Sequence, residues 1–551
     1  MDFLTFFWLV SFIVPHVILS EEVESSGWKD LNIIVHRNGE PDPCGIAFLS
    51  NDSINGASKL DNKFQTESFL TEVIADTMLD KSSCTSPDNY LNIEGIRGFC
   101  DMGKEHTPIL FDYNKLVRVK GGTLPCRWYT REGLRITSME QLRQVISKVK
   151  TTTCANPQEC DNPNAEFHLY AVPAGRMFMF APAFVGEKFD LSHMSQTPDP
   201  ENPVVMSVLS INPRVFDLIN VFTKEEADSL VNRALSETSP ANRMKRSTTG
   251  TIQNSVFSKR TSENAFDTHS ETSLKVKKRI FEAIGFDEYL TGHDDGLQVL
   301  RYNESTAYVQ HMDYLTGTDE ELYDYDSSKK GGNRFATVLL YMTDLPENGG
   351  GETVFSEADS MIASEYEKST HDIINELRDS GDFHSAGIKP GSWEEEMVAT
   401  CRSKLSVKPS RGRAVLFYSQ HPNGEADKNS KHGGCPVLKG SKWAANLWIW
   451  NAPRQDYEGA PLREDLIAKG YKPVKKEGPQ QLKAVFKNSM SDPSTRNAEL
   501  YFEAMLWGDL GFSANPIHVN TYEGHRWNVR VDGKIIKEFV IGGGAVQVFE
   551  I

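Results

Sequence analysis

The chain has 551 residues, 39% of them hydrophobic, and a formal net charge of −17. At about 100–200 residues per domain this length predicts three or four domains, and the near-average composition excludes wholesale disorder and a fibrous repeat. The 76 acidic against 59 basic residues repel phosphate, so nucleic acid is excluded as a general partner. The first element, Phe3 to Leu19, is mostly apolar and uncharged, followed by the small Ser20 and then Glu21 and Glu22. It reads as a secretory signal over residues 1–20. An uncleaved anchor is the alternative, and only that alternative would bring the chain to a membrane; Pro15 and His16 disfavour a stable spanning helix, and Met1-Asp2 lacks the usual basic residue.

Residues 21–203 form a cysteine-rich region. Cys44, Cys84, Cys100, Cys126, Cys154 and Cys160 fall here, while Cys401 and Cys435 lie far downstream. Two groups without C-x-x-C spacing point to two disulfide-bonded units in an oxidising lumen rather than to a metal site, and the sequence does not choose among pairings of the first six. The endoplasmic reticulum is the expected compartment, with Golgi or extracellular space as alternatives. Asn51-Asp52-Ser53 and Asn303-Glu304-Ser305 are glycosylation triplets. Leu31–Val35, His168–Val172 and Arg176–Phe180 read as strands. Ser138-Met139-Glu140-Gln141 reads as a capping box before a helix burying Leu142, Val145, Ile146 and Val149. A small mixed α and β domain follows from this, with no catalytic constellation. Ser195–Pro203 is the linker candidate.

A second domain is expected over 204–452. Thr223-Lys224-Glu225-Glu226 is a capping box whose helix places Ala227, Leu230, Val231, Ala234 and Leu235 on one side. Another helix spans Ser273 to Ile284 and ends at Gly285. Then the period changes to alternation at Leu297–Tyr302, Ala336–Met342, Ala414–Tyr418 and Trp443–Trp450. Helices followed by many strands predict a β-sandwich or jelly roll carrying helices. The insertions Thr318–Asp326 and Glu357–Gly391 are either lids or surface decoration. A linker at 453–479 leads to a small β-sandwich at 480–551. The fold class is multidomain α+β.

The chemical signal starts at His311-Met312-Asp313. On a strand, residues i and i+2 share a face, so this triplet sets an imidazole beside a carboxylate. A second histidine would complete the two-His, one-carboxylate triad of non-haem Fe(II), which leaves coordination positions open. His421 and His432 compete for that place. Downstream, Lys442, Ala444, Asn446 and Trp448 share one face. A buried lysine there costs several kcal/mol unless an anion neutralises it, and a dicarboxylate cosubstrate would do so.

Five runs now stand in order: Leu297–Tyr302, Tyr308–Asp313, Arg334–Tyr341, Gly350–Phe355, and His432–Leu438 followed by Gly440–Trp443. Together they resemble the catalytic domain of the prolyl 4-hydroxylases, Fe(II)- and 2-oxoglutarate-dependent dioxygenases. The resemblance implies a catalytic double-stranded β-helix, or jelly roll, with flanking helices. It assigns iron to His311, Asp313 and His432, and the distal carboxylate of 2-oxoglutarate to Lys442. It places Tyr302 and Thr337 on the cosubstrate pocket and Tyr308, Arg334 and Trp448 near the peptidyl proline. Arg260-Thr261-Ser262 resembles a mobile loop covering substrate, with Arg260 and Ser262 as its polar groups. Cys401 and Cys435 match a bridged pair. The implied reaction is hydroxylation of proline carbon 4, coupled to conversion of 2-oxoglutarate and O2 to succinate and CO2, with ascorbate as reductant. The implied partners are proline-rich or collagen-like polypeptides; oligomeric state is not given. Two departures, Asn303–Ala307 in place of the usual Gly-Gln and Asp295 in place of a glutamate, bear on substrate preference.

In the last domain, Leu500–Phe502, His518–Thr521 and Trp527–Val531 alternate as strands. Val485–Ser489 and Thr521–Trp527 resemble the β domain of the von Hippel–Lindau protein. That resemblance implies a hydroxyproline reader built on Asn488, Thr521, Tyr522, His525 and Trp527; the competing reading makes Trp527 core and His525 a turn cap. For the whole chain, the alternatives to a prolyl 4-hydroxylase are a dioxygenase acting on lysine or a non-peptide, and a catalytically silent peptide-binding subunit.

Overall fold

The computed structural model describes residues 31–79, 95–101, 125–152, 166–239, 242–247, 260–289, 292–315, 333–358, 370–451, 482–488 and 493–551, short internal gaps (58–59, 61, 174–175, 269, 382–385, 503–504, 512–515, 522–524, 543–545) excepted. The signal segment, Cys84, Cys154, Cys160, the Thr318–Asp326 insertion, the 453–479 linker and Tyr522 lie outside these residues. Among the described residues no helix is long and apolar enough to cross a membrane.

The N-terminal region holds a four-stranded sheet: β1 (Leu31–Arg37), β2 (Pro43–Leu49), β3 (Arg127–Tyr129) and β4 (Phe167–Val172), in the order β2-β1-β4-β3. Ile33, Val35, Trp128, Phe167 and Leu169 point to one face and are buried with Leu70 and Ile74 of the helix Lys63–Thr77. Leu142 and Ile146 of the helix Met139–Thr152 join them. That helix keeps half of its expected capping box. Ser138 Oγ accepts from the Gln141 amide at 3.1 Å, but Gln141 Oε1 accepts from Thr137 instead of Ser138. Cys100 and Cys126 are bridged, and Cys44 is disulfide-bonded as well.

Arg176–Phe180 is not a strand. Its backbone finds side-chain partners instead of a ladder: Asn38 donates to Met177 O and accepts from Met179 N, and the Phe180 amide donates to the Tyr418 hydroxyl. Buried backbone must be paired somewhere, and this segment pairs with tertiary neighbours.

The central sheet has nine strands: β5 (Lys188–Asp190), β6 (Val205–Ser210), β7 (Val215–Ile219), β8 (Lys245–Arg246), β9 (Glu263–Asp267), β10 (Asp294–Tyr302), β12 (Arg334–Tyr341), β15 (Ala414–Tyr418) and β17 (Lys442–Trp450). Their order is β5-β6-β7-β15-β12-β17-β10-β9-β8. A smaller sheet, β11-β16-β13-β14, comprises β11 (Tyr308–His311), β13 (Thr353–Phe355), β14 (Leu405–Val407) and β16 (His432–Gly434). Leu339, Tyr341, Phe355, Val407, Phe417 and Ala444 fill the space between the two sheets, which makes the jelly roll. β5 precedes the expected boundary at residue 203 yet pairs with β6. The linker candidate Ser195–Pro203 is likewise tied down: Glu282 accepts from the amides of Ser195 and Gln196.

Alternate residues of β12, β15 and β17 face the other way, onto the helices Lys224–Ser236 and Glu271–Ala283. Thr223 and Glu226 form the full capping box. Ala227, Leu230 and Ala234 are buried, but Leu235 is exposed, since one further residue turns the side chain about 100° away from the core stripe. Within the Glu357–Gly391 insertion, Thr370–Ser380 is helical and packs on the helix Trp393–Ser403.

The C-terminal region contains β18 (Leu482–Lys487), β19 (Glu499–Phe502), β20 (Met505–Asp509), β21 (Ile517–Thr521), β22 (Arg526–Val531), β23 (Lys534–Val540) and β24 (Val546–Glu550). They form two sheets, β21-β18-β24 and β20-β19-β22-β23, around Phe486, Leu500, Trp507, Trp527 and Val529.

Candidate active site

β11 and β16 pair antiparallel with His311 opposite His432. That register brings together two histidines far apart in the chain, and their rings lie 4.5 Å apart. Asp313 completes the group: its Oδ1 is 3.6 Å from His311 Nε2 and its Oδ2 is 3.6 Å from His432 Nε2. The three ligand atoms lie within 4.8 Å of one another. The strand ends at His311, so no ladder carries Asp313, which follows in a bend with its carboxylate against both imidazoles. The competition between histidines is resolved. His421 sits in a turn, 42% exposed, with Asp427 as its neighbour.

The donor set fits a divalent metal. His311 Nδ1 hydrogen-bonds Val309 O at 2.9 Å and His432 Nδ1 hydrogen-bonds Ser430 O at 3.0 Å. A carbonyl can only accept, so Nδ1 carries the proton in both rings and each Nε2 presents a lone pair to the cluster. Burial first, and then the neighbouring His432, push the His311 imidazole well below its ordinary range. Burial alone would raise the Asp313 carboxyl. The two imidazoles, Arg334 and the Thr337 hydroxyl outweigh it and hold the group below the usual carboxylate range. His311 and Asp313 are therefore in their metal-binding forms at neutral pH. Thr337, expected on the cosubstrate wall, donates to Asp313 Oδ2 at 2.7 Å and so orients the ligand carboxylate.

β17 supplies the rest of the inner face. Lys442 is buried, with Nζ 5.2 Å and 5.4 Å from the ring centres of Tyr302 and Tyr341. Among the described residues no carboxylate forms an ion pair with it, and burial lowers its ammonium to about 8 against the opposing pull of Glu352. A buried cation without a counter-charge is a site prepared for an anion. The approach is close: a Cβ on Gly351, which holds φ +74°, would meet Leu345 Cδ1 at 2.7 Å and Lys442 Cδ at 3.4 Å. Cys401 and Cys435 are bridged, which ties the segment after His432 to the helix Trp393–Ser403.

Towards the other end of β17, Arg334 stacks on Trp448, its guanidinium carbon 3.7 Å from the ring centre. Tyr308 stacks on His311 at 3.8 Å. Arg260 lies 4.6 Å above the same tyrosine and donates to Gln298 at 3.0 Å. The resemblance made Arg260-Thr261-Ser262 a mobile cover. Here Arg260 and Ser262 are buried, Ser262 bonds Ser247, and Thr261 pairs with Ala307 through backbone and hydroxyl, so the triplet is an anchored edge of the sheet. Residues 248–259 lie outside the described residues. Sequence reasoning gave Tyr341 and Trp450 no role and singled out Asp295 only as a departure bearing on substrate preference. Alternation from Thr337 through Leu339 would have brought Tyr341 to the inner face, as it would Trp450 from Trp448. Asp295 bonds both Arg334 and Trp450.

The C-terminal candidates divide. Trp527 is buried against Phe486, Phe502 and Trp507 and donates to the Thr521 hydroxyl, which also bonds His525. Asn488 bonds Thr495 and Leu510 O within the module.

Residues 297–450 match the family model of the 2OG-Fe(II) oxygenase superfamily. The chain is 32% identical over 244 residues to probable prolyl 4-hydroxylase 3 of Arabidopsis thaliana, an alignment covering 44% of this chain and 71% of that protein. Prolyl 4-hydroxylase 5 of the same plant is 31% identical over 246 residues, covering 44% and 70%. A solved viral collagen prolyl hydroxylase of Paramecium Bursaria Chlorella virus-1 covers 43% of this chain and 95% of its own, at 20% identity and a TM-score of 0.27. The chain belongs to the prolyl 4-hydroxylase family of 2OG-Fe(II) oxygenases. It is a peptidyl-proline dioxygenase that uses Fe(II), 2-oxoglutarate and O2.

Proposed function

We propose that this enzyme hydroxylates proline at carbon 4 in proline-rich or collagen-like chains within the lumen of the secretory pathway, the endoplasmic reticulum first. One observation carries the reading: a complete His311, Asp313, His432 donor set shares the inner face with a buried lysine, unpaired among the described residues, on one side and an arginine–tryptophan stack on the other. When bound, iron and 2-oxoglutarate supply oxidative decarboxylation coupled to transfer of one oxygen atom to a C–H bond. His311, Asp313 and His432 hold the metal. Lys442 neutralises the far carboxylate of the cosubstrate and so fixes its orientation, with the Tyr302 and Tyr341 rings keeping water from that ammonium. Tyr308, Trp448 and Arg334 offer the aromatic and cationic surface that extended polyproline chains dock on. The disulfides support an oxidising compartment. Ascorbate is proposed as the reductant that keeps the metal ferrous.

Substrate class is tested by comparing Pro-Pro-Gly repeats, proline-only repeats and lysine-bearing peptides at equal concentration, with oxidised residues located by mass spectrometry. Oxygen on proline carbon 4 supports the reading; oxygen only on lysine moves the enzyme to another substrate class. A product-reading role for the C-terminal module is the finer part of this proposal. It rests on the sequence resemblance alone, since Trp527 serves the core. Full-length protein that binds hydroxyproline peptides no better than proline peptides would remove it.

A further inference from the structure

Arg334 stands between two carboxylates. Its Nη2 donates to Asp295 Oδ2 at 2.9 Å, while its Nη1 lies 3.9 Å from Oδ1 of Asp313, a metal ligand. Both acids are buried, at 7% and 3% side-chain exposure. A guanidinium beside two buried carboxylates is drawn to both, and whichever it takes bidentately is lost to other cations. Here the competition is settled by what holds Asp295. Its second oxygen accepts from Trp450 Nε1 at 2.8 Å, so both oxygens are engaged.

The backbone also contributes. The pairing of β10 with β17 shifts register between Asp294 and Leu297. Such an irregularity re-aims side chains. Asp294 accepts from Lys277 and Tyr289 on the helix side, and Asp295 reaches Arg334 and Trp450 on the other. Gly296 makes the bend: its φ is +79°, and a Cβ there would meet Thr268 Cγ2 at 2.8 Å.

We propose that Asp295 is a positioning residue that, braced by Trp450, holds the Arg334 cation over Trp448 and off Asp313, leaving the ligand carboxylate free for the metal. Without the Asp295 charge, Asp313 becomes the nearest buried carboxylate for Arg334, and the guanidinium competes with the metal for it. The inference rests on the iron site described above.

The test is calorimetric titration of Mn(II) into the full-length protein and its variants, with thermal unfolding as the check on folding. Asp295→Asn is expected to weaken Mn(II) binding about tenfold, the scale on which groups supporting metal ligands act. Asp295→Glu, which keeps the charge, is expected to retain affinity. The double variant Asp295→Asn with Arg334→Gln is expected to recover it, because no cation remains to take Asp313; a merely structural defect would persist. Unchanged affinity in Asp295→Asn, or a loss that the double variant does not relieve, would overturn the proposal. Wild-type protein that takes up no Mn(II) would instead sink the iron-site reading on which it stands.

Discussion

Lys442 and Thr337 set how the site responds to its solution. Lys442 is lowered to about 8 by burial, and its protonated form is the one that pairs with a dicarboxylate. Below pH 8 the free enzyme carries that charge; above it the charge is lost. The KM for 2-oxoglutarate is therefore expected to be flat below pH 8 and to rise above it, approaching about tenfold per pH unit, with Lys442→Met high at every pH. A 2-oxoglutarate KM that does not change between pH 7 and 9.5 would contradict this. Thr337 holds Asp313 through one hydroxyl at 2.7 Å. Thr337→Val should weaken Mn(II) binding about tenfold while leaving the fold intact, as read by calorimetry and circular dichroism. Much of this chemistry was legible in the sequence, because the residue types and their order carry it: His311, Asp313 and His432 come together as one cluster, and Lys442 is buried on β17. The choice between His421 and His432 was not legible from residue types alone. It depends on the antiparallel register of β11 and β16, a long-range pairing. Thr337's true partner was hidden for the same reason.

Elements translate these contacts into rigidity. The Cys401–Cys435 bridge closes a loop with a sequence separation of 34, and Cys435 lies just beyond the ligand His432. Constraining such a loop is worth about 2–4 kcal/mol. Replacing both cysteines by serine should lower stability by that amount in denaturant titration and weaken Mn(II) binding as well; a stability loss with unchanged metal affinity would mean that β16 is held by its ladder alone. Strand and helix boundaries were read well where alternation or capping was strong, as at β17 and at Thr223. Arg176–Phe180 shows the opposite. Its apolar run resembles a strand, yet Asn38 and Tyr418 satisfy its backbone, and no local pattern reports a partner that distant. The His311-Met312-Asp313 triplet carries a similar lesson: the side chains meet as alternation implied, although the strand stops before Asp313.

Across the molecule, the N-terminal region and the catalytic sheet share a core. Tyr129, Tyr170 and Phe178 pack in one apolar cluster with Phe216, Phe281 and Tyr418. Arg135, buried beside Glu67, also pairs with Asp287 just beyond the helix Glu271–Ala283. Removing one partner of such a network costs about 3–5 kcal/mol, because a buried charge is left behind. Arg135→Ala should therefore lower the unfolding temperature of the N-terminal region and the jelly roll together, in one calorimetric transition; separate transitions would show that the shared core does not couple them. The linear division at residue 203 missed this, since composition marks linkers but not what a segment packs against.

The most direct measurement of the central claim supplies full-length protein with Fe(II), ascorbate, 2-oxoglutarate, isotopically labelled O2 and a proline-repeat peptide, and follows the peptide by mass spectrometry. The account predicts one labelled oxygen on proline carbon 4 for each succinate formed, abolished by His311→Ala. Succinate formed without labelled proline, or labelling undiminished in His311→Ala, would contradict it.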